Sequence, residues 1–163
     1  MKCKDGKKRE TELTMALVMQ PTQANLAGNV HGGEIMKLMD EVAGAAAIQY
    51  SKSNVVTARV DELEFMLPIH IGSFVTCTGK IAYVGRTSME VIVTVDVESL
   101  ASGEDKKRAL SAFFTMVALD ENGKPLPIPQ LNPETDEEID LYEMVQERRE
   151  HYKQRKSMKK ESK

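Results

Sequence analysis

The chain has 163 residues, of which 41% are hydrophobic and 29% charged, with a formal net charge of −3. That length suits one domain with a real core, and the composition is that of an ordinary soluble protein. The charge gives no general case for nucleic acid or an anionic membrane as a partner.

Residues 1–10, "MKCKDGKKRE", read as a solvated tail, basic but followed by no apolar run, so not a secretory signal. Leu13, Met15, Leu17 and Met19 alternate over residues 11–20 and predict a strand that Pro21 ends. "PTQANLAGN" then reads as loop. A long helix is expected from about Gly32 to Tyr50, with Asn29 or His31 near its N-cap and Glu34 at the positive end of its dipole. Ile35, Met39, Val42 and Ala46 share one side of it, and Glu34, Lys37 and Glu41 the other. Its second half, "VAGAAAIQ", is small enough to let other backbone come very close.

Four strand-like runs follow. In residues 54–67, Val56, Ala58 and Val60 are in one phase and Leu63, Phe65 and Leu67 in the other, so a bulge is expected near Asp61 and Glu62. Residues 73–84 place Val75, Cys77, Ile81 and Tyr83 on one face. Residues 87–99 alternate from Met89 to Val97 against Glu90, Thr94, Asp96 and Glu98. Residues 107–120 are apolar on both faces, as a strand covered on both sides would be. Short connections, "PIHIG", "VGR" and "SLASGED", favour antiparallel hairpins. After the Pro-rich "PLPIPQLNPE", a C-terminal helix starts at a capping box of Thr135 and Glu138. Ile139, Tyr142 and Val145 give it a narrow apolar stripe, so it should dock on the surface and fray at its end. The fold class is therefore α+β, divided into a tail (1–10), a main domain (11–130) and a helical extension (131–163).

The long helix carries the sharpest chemical signal. Asp40 lies at the edge of the apolar arc, beside Gly33, Met36, Ala43, Gly44 and Ala47, which would leave it in a shallow slot. Free N–H groups at Gly32, Gly33 and Glu34 would leave the helix N-terminus and favour negative charge on a carbonyl oxygen. Asp40 is about two turns, roughly 10 Å, further along. The two features would meet across a subunit interface or through a kinked start to the helix. Plainer readings stand beside these: Asp40 as an i,i+3 partner of Lys37, His31-Gly32-Gly33 as a tight loop, and Asn25 and Asn29 as loop residues. Cys3 and Cys77 have no metal-ligand spacing, and Cys77 has no evident base. There is no G-x-S-x-G elbow.

Taken together, "NLAGNVHGGEIMKLMDEVAG", "FMLPIHIGS", "VGRTSMEVIVTV" and "AFFTMVALD" resemble the hotdog-fold acyl-CoA thioesterases, specifically the bacterial and brain-type cytosolic acyl-CoA hydrolase group. The resemblance runs from about Leu13 to Pro129. It implies a long central helix wrapped by a five-stranded antiparallel sheet, dimers that commonly trimerise into hexamers, and an active site between two subunits. It implies Asp40 as the catalytic carboxylate, and His31, Gly32 and Gly33 of the other subunit around the amide that polarises the thioester carbonyl. Asn25 or Asn29 would place the water or thioester. The "VGRTS" loop would take the CoA moiety, with Arg86 on a phosphate and Gly85, Thr87 and Ser88 around it, and Arg59 a weaker candidate. The alternative for the loop is a hairpin turn with an exposed Arg.

The implied reaction is hydrolysis of acyl-CoA to free fatty acid and CoA in the cytoplasm, in fatty acid metabolism. Asp40 would activate water or attack directly to form an anhydride. No metal and no organic cofactor are expected, and neither nucleic acid nor membrane as partner. Two alternatives differ in chemistry: a non-catalytic acyl-CoA-binding regulator, and a hotdog dehydratase or hydratase with a His base.

Overall fold

In a computed structural model, residues 9–100 and 105–161 are described. The chain forms β1 (Glu12–Val18), a 3-10 turn (Pro21–Gln23), α1 (Gly32–Ser51), β2 (Asn54–Phe65), β3 (Phe74–Val84), β4 (Ser88–Glu98), β5 (Lys107–Leu119) and α2 (Asp136–Glu161). Most of the expected N-terminal tail, residues 1–8, lies outside the described residues, as do positions 101–104 of the last connection.

The five strands make one antiparallel sheet in the order β1-β3-β4-β5-β2. Helix α1 packs on one face, the arrangement that the resemblance implies. Ile35, Met39, Val42 and Ala46 are buried there, while Glu34, Lys37 and Glu41 are exposed. The small second half of α1 does let backbone approach. A Cβ built on Gly79 of β3 would stand 2.9 Å from Val42 Cγ1 and 3.3 Å from the Val42 carbonyl oxygen.

Helix α2 covers the other face, which is why β5 is apolar on both sides. Its capping box forms as expected: Thr135 Oγ1 accepts from Glu138 N–H at 3.2 Å, and Glu138 Oε2 accepts from Thr135 N–H at 3.3 Å. Val145 is buried against Phe113 and Ala82, and the Tyr83 and Tyr142 rings lie 4.9 Å apart.

Three local features depart from the expected pattern. First, "PIHIG" does not close a hairpin. β2 lies at the sheet edge beside β5, and β3 lies beside β1, so this loop must cross the end of the sheet. On the way it meets the start of α1, where Val30 N–H donates to the Ile69 carbonyl at 2.8 Å. Second, the register of β3 against β4 shifts between Ile81 and Tyr83. The extra residue, Ala82, turns Tyr83 to the α2 face, away from Val75, Cys77 and Ile81. Third, the predicted bulge at Asp61–Glu64 is present, with Glu62 at φ 55°, and a second irregularity lies between Thr57 and Arg59. Thr57 pairs with Met116 of the α1 face, whereas Arg59 pairs with Thr115 of the α2 face.

Gly79→Ala should destabilise the chain by about 1–3 kcal/mol, because the added methyl meets a β-branched side chain and backbone in a close-packed layer; chemical denaturation measures it. Cys77 is fully buried, and burial, with the Asp96 charge second, pushes its thiol up to about 12. In a Cys3→Ser background the remaining thiol should therefore react with an aromatic disulfide reagent only as fast as the fold opens.

Candidate active site

His31 caps α1: its Nδ1 accepts from Gly33 N–H at 2.9 Å, and its carbonyl accepts from Glu34 N–H at 2.9 Å. Two of the three amides expected to leave the helix N-terminus are thus already paired. Gly32 N–H is left, and Gly32 lines a cavity of about 330 Å³. Phe65, Leu67 and Ile69 form its apolar wall, and Asn25 and Asn29 supply polar groups. The packing over Gly32 is close, since a Cβ there would stand 3.1 Å from Phe65 Cζ, and the half-exposed ring would have to shift by a few tenths of an ångström to admit one.

The Asn25–Asn29 loop is built by Asn25 itself. Its Oδ1 accepts from Ala27 N–H at 2.9 Å and from Asn29 N–H at 3.1 Å. The two residues also bond through their backbones, Asn25 N–H to the Asn29 carbonyl at 2.7 Å. Gly28 takes φ +82°, a value that favours glycine. With Oδ1 occupied twice, the side-chain NH₂ of Asn25 is the group available to a ligand. Asn29 instead directs its Oδ1 to His70 Nδ1 at 2.9 Å.

Asp40 lies on the exposed side of α1, outside this cavity. Ala43 and Ala47 are taken into the core and do not wall a slot beside it. Its partner is Thr57, not Lys37: Thr57 Oγ1 donates to Asp40 Oδ1 at 2.6 Å and also lies 3.5 Å from Met116 Sδ. One carboxylate oxygen is thereby oriented while Oδ2 has no hydrogen bond among the described residues. Sequence reasoning missed Thr57. The only available signal was its place opposite Asp40 once the Thr57/Arg59 bulge is known.

The "VGRTS" loop is fixed through its backbone. Gly85 N–H donates to the Ser88 carbonyl at 2.8 Å, Ala118 N–H to the Thr87 carbonyl at 3.0 Å, and Ile128 N–H to the Arg86 carbonyl at 3.0 Å. Arg86 is exposed, but the Ser88 hydroxyl accepts from Arg149 of α2 at 3.3 Å. Arg59 is not with this loop. It lies on the α2 face, its guanidinium 3.6 Å above the Tyr152 ring and its Nε 2.6 Å from Asp61 Oδ2.

That face also holds a buried carboxylate that sequence reasoning read as an outward strand residue. Glu90 is 3% exposed and accepts from Arg149 at 2.7 Å and from Thr115. Burial raises its pKa, while Arg149, Thr115 and Arg59 pull it down. Among the described residues no group of His, Cys, Asp and Glu is placed to hold a metal ion.

The single protomer therefore presents two separate groups. Asn25 and Gly32 face one cavity, and Asp40 with Thr57 forms a second polar point further along the same helix.

Residues 27–102 match the model of the thioesterase superfamily. The chain is 47% identical over 124 residues to the rat cytosolic acyl coenzyme A thioester hydrolase, covering 76% of this chain but only 32% of that protein. It thus spans about a third of the length of that relative. Protein VdlD of Helicobacter pylori is 41% identical over 140 residues, covering 86% of this chain and 79% of VdlD. The crystal structure of an apo hexameric acyl-CoA thioesterase superposes with a TM-score of 0.84 at 38% identity, covering 88% of this chain and 92% of that one. The acyl-CoA hydrolase of Staphylococcus aureus, in complex with butyryl coenzyme A, coenzyme A and coenzyme A disulfide, superposes at 0.82 with 30% identity, covering 93% and 92%. The Staphylococcus enzyme has also been solved with an aspartate, an asparagine and a threonine each replaced by alanine. By sequence and by fold, this chain belongs to the thioesterase superfamily.

Proposed function

We propose that this chain hydrolyses acyl-CoA thioesters to a free carboxylic acid and CoA. The observation that carries this reading is the 2.6 Å hydrogen bond from Thr57 to Asp40, which orients a carboxylate on the open side of α1. Three residues of the Staphylococcus enzyme were chosen for replacement, and they are spaced along that chain as Asn25, Asp40 and Thr57 are along this one. This spacing favours Asn25 over Asn29 as the group that meets the substrate.

In the proposed reaction Asp40 takes a proton from a water whose oxygen attacks the thioester carbon, or attacks that carbon itself to give an anhydride that water then opens. Gly32 N–H and the Asn25 NH₂ hold the oxyanion. The C–S bond then breaks, and the CoA thiolate leaves without much help from an acid. The sequence uses only groups of the chain, the thioester and one water, so no step requires a metal or an organic cofactor. Arg86 on its fixed loop is the residue for a CoA phosphate, and the Gly85–Ser88 backbone sets its position. Arg59, engaged by Asp61 and Tyr152, is left out of that role.

Asp40 and Gly32 lie on one helix too far apart to serve one carbon, so the site takes Asp40 from one protomer and Gly32 with Asn25 from the next. The apolar surface for such pairing lies along edge strand β2, where Val56 is 44% exposed, Phe65 45% and the following Met66 51%. A homodimer, assembled as a trimer of dimers, is the proposed state, supported by the hexameric neighbour. A cytoplasmic location is proposed from relatives named cytosolic. No helix among the described residues is long and apolar enough to cross a membrane.

The dehydratase alternative needs a free His base. His31 spends its Nδ1 lone pair on the helix cap, which disfavours that role. The regulator alternative is separated by product: it would bind acyl-CoA without releasing thiol.

Asp40→Asn should lower kcat for thiol release by about 10²–10³, with KM and Tm little changed. Release of free CoA at a near-normal rate by this variant would overturn the assignment. A wild-type chain that binds acyl-CoA without turnover would favour the regulator.

A further inference from the structure

The crossover loop carries one polar side chain for which the proposed reaction has no task. His70 follows Ile69, the residue that pairs with Val30, and its backbone bridges Asn29. Its Nδ1 stands 2.9 Å from Asn29 Oδ1. An amide oxygen only accepts, so Nδ1 carries the hydrogen in this contact. From Asn29 the bonding continues to Asn25, through Asn29 N–H to Oδ1 at 3.1 Å and through the Asn29 carbonyl at 2.7 Å. An unbroken chain of hydrogen bonds therefore runs from His70 through Asn29 to Asn25.

We propose that His70 is a positioning residue for thioester hydrolysis: its Nδ1–H, given to Asn29 Oδ1, ties the crossover loop to the Asn25–Asn29 loop and fixes where Asn25 faces the cavity. The proposal rests on the thioesterase reading above. Without the tie, the two loops still meet through backbone, but Asn29 has no side-chain anchor. The bond does not depend on the charge of the ring. The neutral tautomer with hydrogen on Nδ1 and the imidazolium both donate from that atom. Glu98, Asp105 and Lys107 line the hollow on the other side of His70, and Asn29 faces it from the α1 side. An asparagine at position 70 keeps an N–H donor close to the same place, whereas alanine keeps none.

The test is thiol release from a short acyl-CoA by wild type, His70→Ala, His70→Asn, Asn29→Ala and the double variant His70→Ala/Asn29→Ala. Each is followed across the pH range in which imidazole titrates, with Tm recorded. His70→Ala should lower kcat about 3- to 10-fold with KM little changed, and His70→Asn should recover it to within about twofold. The double variant should match Asn29→Ala alone, since both single changes break the same link. The pH profile of His70→Asn should have the wild-type shape. Wild-type kcat in His70→Ala, additive losses in the double variant, or a fall in kcat that tracks Tm and is not rescued by asparagine would each overturn the proposal. So would loss of one limb of the pH profile in His70→Asn, because the ring would then be exchanging a proton. A wild-type chain that releases no thiol overturns the thioesterase reading and this proposal with it; wild-type release alongside an undiminished His70→Ala overturns this proposal alone.

Discussion

The closeness of α1 to the sheet sets the geometry of everything polar around it. Gly79 admits Val42 and Ala46 where any side chain would hold the helix off. At that separation the hydroxyl of Thr57, on the far edge strand, reaches Asp40 on the helix. A carboxylate on an exposed helix face normally samples several rotamers. Here one oxygen is tied to a β-branched residue with few rotamers of its own, so the acid is aimed rather than merely present. The close approach of α1 to β3 at Gly79 thus sets the place of the Asp40 carboxylate as well as the packing.

The start of the same helix shows what hydrogen-bond accounting adds to a motif. The sequence offers three amides to polarise a carbonyl, those of Gly32, Gly33 and Glu34. The His31 ring and carbonyl take two of them, leaving Gly32, the one that lines the cavity beside Asn25. The crossover loop closes this cavity and brings Phe65 over Gly32. The loop can do so because β2 and β3 lie apart in the sheet, which obliges the chain to pass the helix N-terminus between them.

Much of this was legible in the sequence. The five strands, both helices, the capping box at Thr135 and the bulge near Glu62 follow from periodicity and local chemistry. What escaped was whatever depends on a single inserted residue or on a distant partner. The irregularity at Ala58 and the one at Ala82 each switch the phase of a strand without leaving an apolar signature, so Thr57 and Arg59 part company and Tyr83 leaves the core face. Glu90 alternates as a solvent-facing residue should. It is buried only because α2 returns to the sheet with Arg149, a contact 59 positions away. Crossover and hairpin likewise look alike in a short loop, since strand order is a property of the whole sheet.

Division of the site between two protomers is tested most directly by mixing inactive chains. Asp40→Ala and Asn25→Ala subunits, each inactive alone, are co-expressed with distinct tags and the mixed oligomer is purified. In a mixed pair, one of the two sites combines the intact Asp40 of one chain with the intact Asn25 of the other. Thiol release should therefore return to about half the wild-type rate in a purified mixed dimer, and to about a quarter where subunits pair at random within a mixed hexamer. A mixed oligomer as inactive as its parents would place both groups in one subunit and contradict the shared site.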